Sequence, residues 1–342
     1  MKKLALFSSD SASLYKKDVF RIMGLQNDFV IHFRYGLEHL ALSLPELKKH
    51  INETALIFFT YGNDLTKDIS LRTVTNVPLR EAEVVDIIET QDTGLVHIYL
   101  KLKDYIKCDI QFLAPTHQTP NKWASEVNVN NLTQSSWHER LSSIKSQFSD
   151  QLFYKIDILD DKSQRYISPY FSKEQSSSYY ELKDESSYLL SIAFFDTSAT
   201  ASDSSQQLKI STKDSEAIRL NAPEILDIGA RRDNRKYSLF TQAITSKNGY
   251  SYLIFESVET SSTGSLKNYI QVPFQIKKNS RRAFWFALYT VLAAISVGYS
   301  KLITDKWDLY GSFNWFLFFN CVAAFSFGFF SFFKLYQLYN KK

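Results

Sequence analysis

Glycine and cysteine are scarce in this chain of 342 residues, which has ten of the first and two of the second. The glycines form neither a GxxxxGK[ST] loop nor a GxGxxG turn, so the usual backbone cradles for nucleotide phosphates are absent. No Gly-x-Ser-x-Gly elbow presents a serine nucleophile. Cys108 and Cys321 make neither a disulfide framework nor a metal cluster, which fits a reducing compartment. His32, His39, His50, His97, His117 and His138 fall in different elements and show no HExxH or His/Cys spacing. Acidic pairs such as Asp160 and Asp161 read as turn tips. The expectation is therefore a non-enzymatic protein with no catalytic residue, no metal and no cofactor.

Charge is nearly balanced, with 40 Lys and Arg against 36 Asp and Glu and a formal net charge of +4. Lys277, Lys278, Arg281, Arg282, Lys334, Lys341 and Lys342 cluster near the C-terminus. The remainder is close to neutral, which argues against a broad basic face for nucleic acid. Charge is missing altogether from Ala283 to Ser300 and from Leu309 to Phe333. Roughly 20 apolar residues of helix cross a bilayer core about 30 Å thick. The sequence thus predicts a transmembrane hairpin in residues 277–342, with helices over about 283–303 and 309–333. The cations beside it put both termini in the cytoplasm and the protein in the inner (plasma) membrane, multi-pass. The start, Met1 to Phe7, has too short an apolar run for a signal peptide, which leaves membrane targeting to the hairpin. Ala294/Gly298 and Ala324/Gly328 are small residues four apart, expected to pack helices closely, within the hairpin or between copies. Asn320, mid-helix, would seek a polar partner across that packing.

The rest of the chain reads as β-rich. Alternating and β-branched runs, including 29–36, 56–62, 69–75, 83–90 and 95–102, predict a small barrel or sandwich over residues 1–113. Residues 114–150 read as a linker and a short helix, with Trp137, Leu141, Ile144 and Phe148 on one face. Ser136 with Glu139 suggests a capping box. Seven further runs separated by turn residues predict a β-sandwich over 151–276. The fold class is therefore mainly β, a barrel or sandwich plus a β-sandwich with few helices, followed by the hairpin.

Two places carry binding chemistry. His32, Arg34 and Tyr35, joined by Arg72 and Arg80 from neighbouring strand edges, would form a cationic, aromatic-lined pocket. Such a pocket suits a phosphate, carboxylate or nucleobase. Arg231, Arg232 and Arg235 read as a basic turn that would meet lipid headgroups or an acidic partner. The arrangement of cytosolic β-domains on a two-helix membrane hairpin resembles, in architecture, the two-transmembrane-helix effectors of bacterial antiphage defence systems. The resemblance implies that the β-domains sense or dock a cytosolic protein and that hairpins oligomerise and permeabilise the membrane. The alternative is a passive tether that recruits a cytosolic protein or nucleic-acid complex; a nucleotide or nucleic acid is a further ligand the pocket would accept.

Overall fold

The structure is a computed structural model. It describes residues 2–9, 13–62, 75–90, 92–112, 122–148, 151–197, 206–213, 217–228, 232–244, 248–258 and 268–279, with short pieces between 284 and 333. In chain order the first elements are β1 (Lys2–Ser9), α1 (Ser13–Gly24), β2 (Val30–Gly36), α2 (Leu44–Lys48) and β3 (Thr54–Tyr61). They are followed by β4 (Thr75–Thr90), β5 (Leu95–Phe112), β6 (Ala124–Gln134) and α3 (Trp137–Ile144). The second half contains β7 (Leu152–Asp160), β8 (Tyr170–Ser172), β9 (Ser177–Lys183), β10 (Ser187–Asp196) and β11 (Gln206–Thr212). It ends with β12 (Ile218–Asn221), β13 (Ile225–Ile228), β14 (Arg232–Thr241), β15 (Asn248–Val258) and β16 (Tyr269–Lys277).

The first sheet has the order β2-β5-β4-β3-β1-β6, and β5 also pairs with β6. That second pairing closes β1, β3, β4, β5 and β6 into a barrel and leaves β2 as an appended edge strand. Closure depends on the length of β5, whose first half pairs with β2 and β4 and whose second half pairs with β6 from Ile106 to Phe112. Ala5, Phe7, Leu56, Phe58, Ile106, Val127 and Val129 form one buried cluster, one side of the alternation in four of these strands. The other side of β1 and β3 is buried as well, because α1 and the turn after α3 cover it: Phe59 meets Phe148, which meets Phe20. Pro78 sits inside β4, where the sequence suggested a break. It is tolerated because β4 bulges there, with Ile57 opposite Arg80 and Phe58 opposite Pro78, and because the ladder to β5 begins only at Arg80.

α3 is capped as its sequence suggested, since the Ser136 hydroxyl accepts from Glu139 N at 3.2 Å. The Glu139 carboxylate, however, accepts from Ser135 Oγ at 2.7 Å. All four apolar residues expected on one face, Trp137, Leu141, Ile144 and Phe148, are buried. The second half is a sandwich of a four-stranded sheet, β12-β14-β10-β7, and a six-stranded sheet, β13-β11-β15-β16-β9-β8. Tyr154 of β7 crosses between them, donating its hydroxyl to Phe255 O at 2.9 Å. Its burial pushes its pKa far above the ordinary phenol value, so it stays a donor.

Barrel and sandwich belong to one compact unit. The end of α1 joins them. Leu25 bridges to Ile156 of β7, and Gln26 accepts from Ile158 N at 3.0 Å while donating to Ile167 O at 2.9 Å. A Cβ at Gly24 would lie 2.6 Å from Tyr154 O, so only glycine admits this approach.

The second unit comprises residues 183–185, 243–247 and 277–342. Within it Asp184 accepts from Asn279 N at 2.7 Å and donates its own N–H to Lys277 O at 2.9 Å. The transmembrane expectation is corrected here. Among the described residues no helix is long and apolar enough to cross a membrane. The described positions between 284 and 333 are helical. An uncharged run states which surroundings its side chains favour; it does not set how far the backbone continues as one helix. The two-span hairpin, the inner-membrane location and the orientation drawn from its flanking cations all go with it. Ala294 and Gly298 are exposed, with no described atom within 4 Å of a Cβ at Gly298, and Gly328 is buried. Asn320 and Ala324 lie outside the described residues.

Candidate docking site

The structure separates the arginines that the sequence grouped. Arg80 is fully buried. Its Nε donates to Lys103 O at 2.6 Å, Nη1 to Ile22 O and Leu25 O at 2.7 Å each, and Nη2 to Asn27 Oδ1 at 2.5 Å. Its guanidinium lies 4.5 Å from the centre of the Tyr105 ring. Tyr105 and Trp137 both donate to Met23 O at 2.8 Å. The carbonyls that a helix leaves unpaired in its last turn are thus capped by side chains from β4, β5 and α3, and the cation meets the negative end of the α1 dipole. Burial pulls the Arg80 pKa down, opposed chiefly by Tyr105 and then Asp157. Arginine remains a cation there all the same.

Tyr35 points away from the expected pocket too. It is buried, donates to Phe7 O at 3.2 Å, and has its pKa raised well above the ordinary phenol value, chiefly by burial. Arg72 and Arg231 lie outside the described residues. Arg232 opens β14 opposite Phe195, so the run read as a basic turn is largely strand. Arg235 is engaged within the fold: it donates to Asp233 Oδ2 at 2.6 Å and to Asp227 O at 2.8 Å, and lies 5.8 Å from the Phe194 ring centre.

His32 and Arg34 do come together, on the exposed side of β2. Along β2 the residues Ile31, Phe33 and Tyr35 are buried, whereas His32 is half-buried and Arg34 exposed. The register places His32 opposite Tyr99 and Arg34 opposite His97 of β5. Directly opposed residues share a face, so four functional side chains converge. The His32 ring lies 5.6 Å from His97 and 5.5 Å from Tyr99, and Tyr99 lies 5.7 Å from Phe171 of β8. Among the described residues Arg34 has no ion-pair or hydrogen-bond partner. Arg21, at the end of α1, adds a second guanidinium and pairs with Asp18 at 3.4 Å.

Electrostatics follow from this crowding. Burial, then the charges of Arg21, His97 and Arg34, bring the His32 pKa down to about 4. Burial and Arg34 lower that of His97. Burial raises that of Asp18, with Arg21 opposing. At neutral pH the site therefore holds two guanidiniums, two neutral imidazoles and the Asp18 carboxyl, which is paired with Arg21. An imidazole near 4 is a poor general base at pH 7, where a catalytic base works best with a pKa close to the ambient pH. Among the described residues no group of three or more His, Cys, Asp or Glu could hold a metal ion. What the arrangement can do is accept an anionic, extended or planar group, by hydrogen bonds from guanidinium and stacking on rings.

Sequence reasoning missed His97, Tyr99 and Arg21. The alternation of 95–102 put His97 and Tyr99 on one face of a strand, but only the register shows that this face adjoins His32. Nothing in the sequence distinguishes Arg21 from other helix cations.

No protein-family model matches the chain, and no curated protein matches it. Among solved structures, domains 4 and 5 of the S-layer protein SbsC align at 9% identity over 45% of this chain and 86% of that one, with a TM-score of 0.19. The Vibrio cholerae VesB protease aligns at 8% identity over 73% of this chain and 96% of that one, with a TM-score of 0.20.

Proposed function

We propose that this protein is a non-catalytic docking protein whose β2–β5 face binds an acidic polypeptide segment of a partner. The observation that carries this reading is the Arg34 guanidinium, exposed and unpaired among described residues beside His32, His97 and Tyr99. A cation whose donors are unspent offers its hydrogen bonds to a ligand carboxylate. The overall balance of 40 basic and 36 acidic residues supports a local protein contact over nucleic acid, which calls for many phosphate contacts. The membrane-permeabilising reading rested on two spans and is not carried forward.

The test is binding of fluorescent poly-L-glutamate and of a single-stranded oligonucleotide to the full chain. Arg34→Glu is the control. Saturable binding of poly-glutamate, weakened in R34E, supports docking of an acidic polypeptide. Tighter binding of the oligonucleotide, or no difference between wild type and R34E, overturns it.

A further inference from the structure

We propose that the acidic segment docks by strand addition, pairing its backbone with the free edge of β2. This rests on the docking reading above and specifies its mode. Among the described residues β2 stands at the end of its sheet, paired only with β5. Phe29 O accepts from Leu102 N at 2.9 Å, which fixes the phase of the ladder. In an antiparallel pair every second residue turns its backbone groups to the neighbour. Residues 31, 33 and 35 therefore bond to β5, while 30, 32 and 34 turn theirs outward. Val30 agrees: its N–H donates outward, to Ser178 Oγ of β9 at 2.8 Å. The N–H and C=O groups of His32 and Arg34 have no partner among the described residues.

An edge of this kind templates another strand. A residue paired directly opposite points its side chain to the same face. Positions opposite His32 and Arg34 would thus put two side chains, spaced i and i+2, among Arg34, His32 and Arg21. The charges there favour acids at both, giving a Glu-x-Glu pattern. Ser178 closes the edge at Val30, so the added strand runs alongside residues 31–36.

The probe is a capped, fluorescent (Glu-Val)4 peptide, with two analogues N-methylated either at every Glu or at every Val. N-methylation removes the donors on one edge of a strand and keeps every charge. Binding to the full chain at low salt is read by anisotropy, with R34A and R34P as variants. Strand addition gives asymmetry: one analogue binds at least tenfold more weakly than the other. R34P, which also deletes the outward N–H, then weakens binding beyond R34A. Equal binding of both analogues and the parent overturns strand addition and leaves the charge-based docking standing. If no peptide binds up to millimolar concentration, the docking reading itself fails.

Discussion

Arg80 and Arg34 are the same chemical group in two strands of one sheet, β4 and β2, with β5 between them, and their fates are opposite. Every nitrogen of the Arg80 guanidinium is committed, to three carbonyls and an amide oxygen, and the residue is sealed from solvent. Arg34 is exposed, and its donors have no partner among the described residues. The contrast teaches that a cation's role is read from whether its hydrogen bonds are already spent. A satisfied cation holds the fold; an unspent one, beside stacked rings at a sheet edge, is the one proposed to bind.

The sharpest way to break this comparison is to remove Arg80. Arg80→Met keeps much of the volume but leaves Ile22 O, Leu25 O and Lys103 O without their donors. Stranded buried acceptors cost about 1–3 kcal/mol each, partly relieved by relaxation, so we expect a loss of about 3–5 kcal/mol in denaturant unfolding. A loss below about 1 kcal/mol would make Arg80 no more structural than Arg34. Next in size is Gln26→Leu, which strips partners from Ile158 N, Ile167 O and the Tyr180 hydroxyl. A loss of about 2–4 kcal/mol is expected, with both halves still unfolding together. Separate transitions for barrel and sandwich would show that Gln26 was the main tie between them.

Arg34→Glu is expected to do the reverse of both. Stability should stay within about 0.5 kcal/mol of wild type, as for most surface changes, while poly-glutamate affinity falls about tenfold or more. The smallest effect is electrostatic. The folded pKa of His32, about 4, lies below the ordinary value of 6.5. Below pH 6.5 the unfolded chain takes up a proton that the native state refuses. Stability from this group therefore declines as pH falls from about 6.5 toward 4, and it rises over the same window as pH increases. His32→Gln should flatten that slope. Arg34→Glu should raise the titration midpoints of His32 and His97, since the Arg34 charge depresses both.

Much of the β architecture was legible in the sequence because alternation reports strands directly. The apolar spacing of Trp137, Leu141, Ile144 and Phe148 likewise marked a helical face that the structure buries. Long-range pairing was not legible. Arg80 and Arg34 look alike as letters, and only the β4 bulge and the α1 C-terminus turn one inward. His97 looks like a scattered histidine in the sequence because its neighbour, Arg34, is 63 positions away and meets it through register alone. The C-terminal error came from the opposite habit. Two uncharged runs suggest two continuous spans, whereas no helix among the described residues is long and apolar enough to cross a membrane.

The most direct test uses the chain's six histidines as reporters. With histidines selectively 13C-labelled, poly-L-glutamate is titrated into the full chain and the ring resonances are followed. Docking on the β2–β5 face requires His32 and His97 to shift together, saturably, while His50 and His138 hold still. Unmoved His32 and His97 resonances at saturating ligand would contradict it.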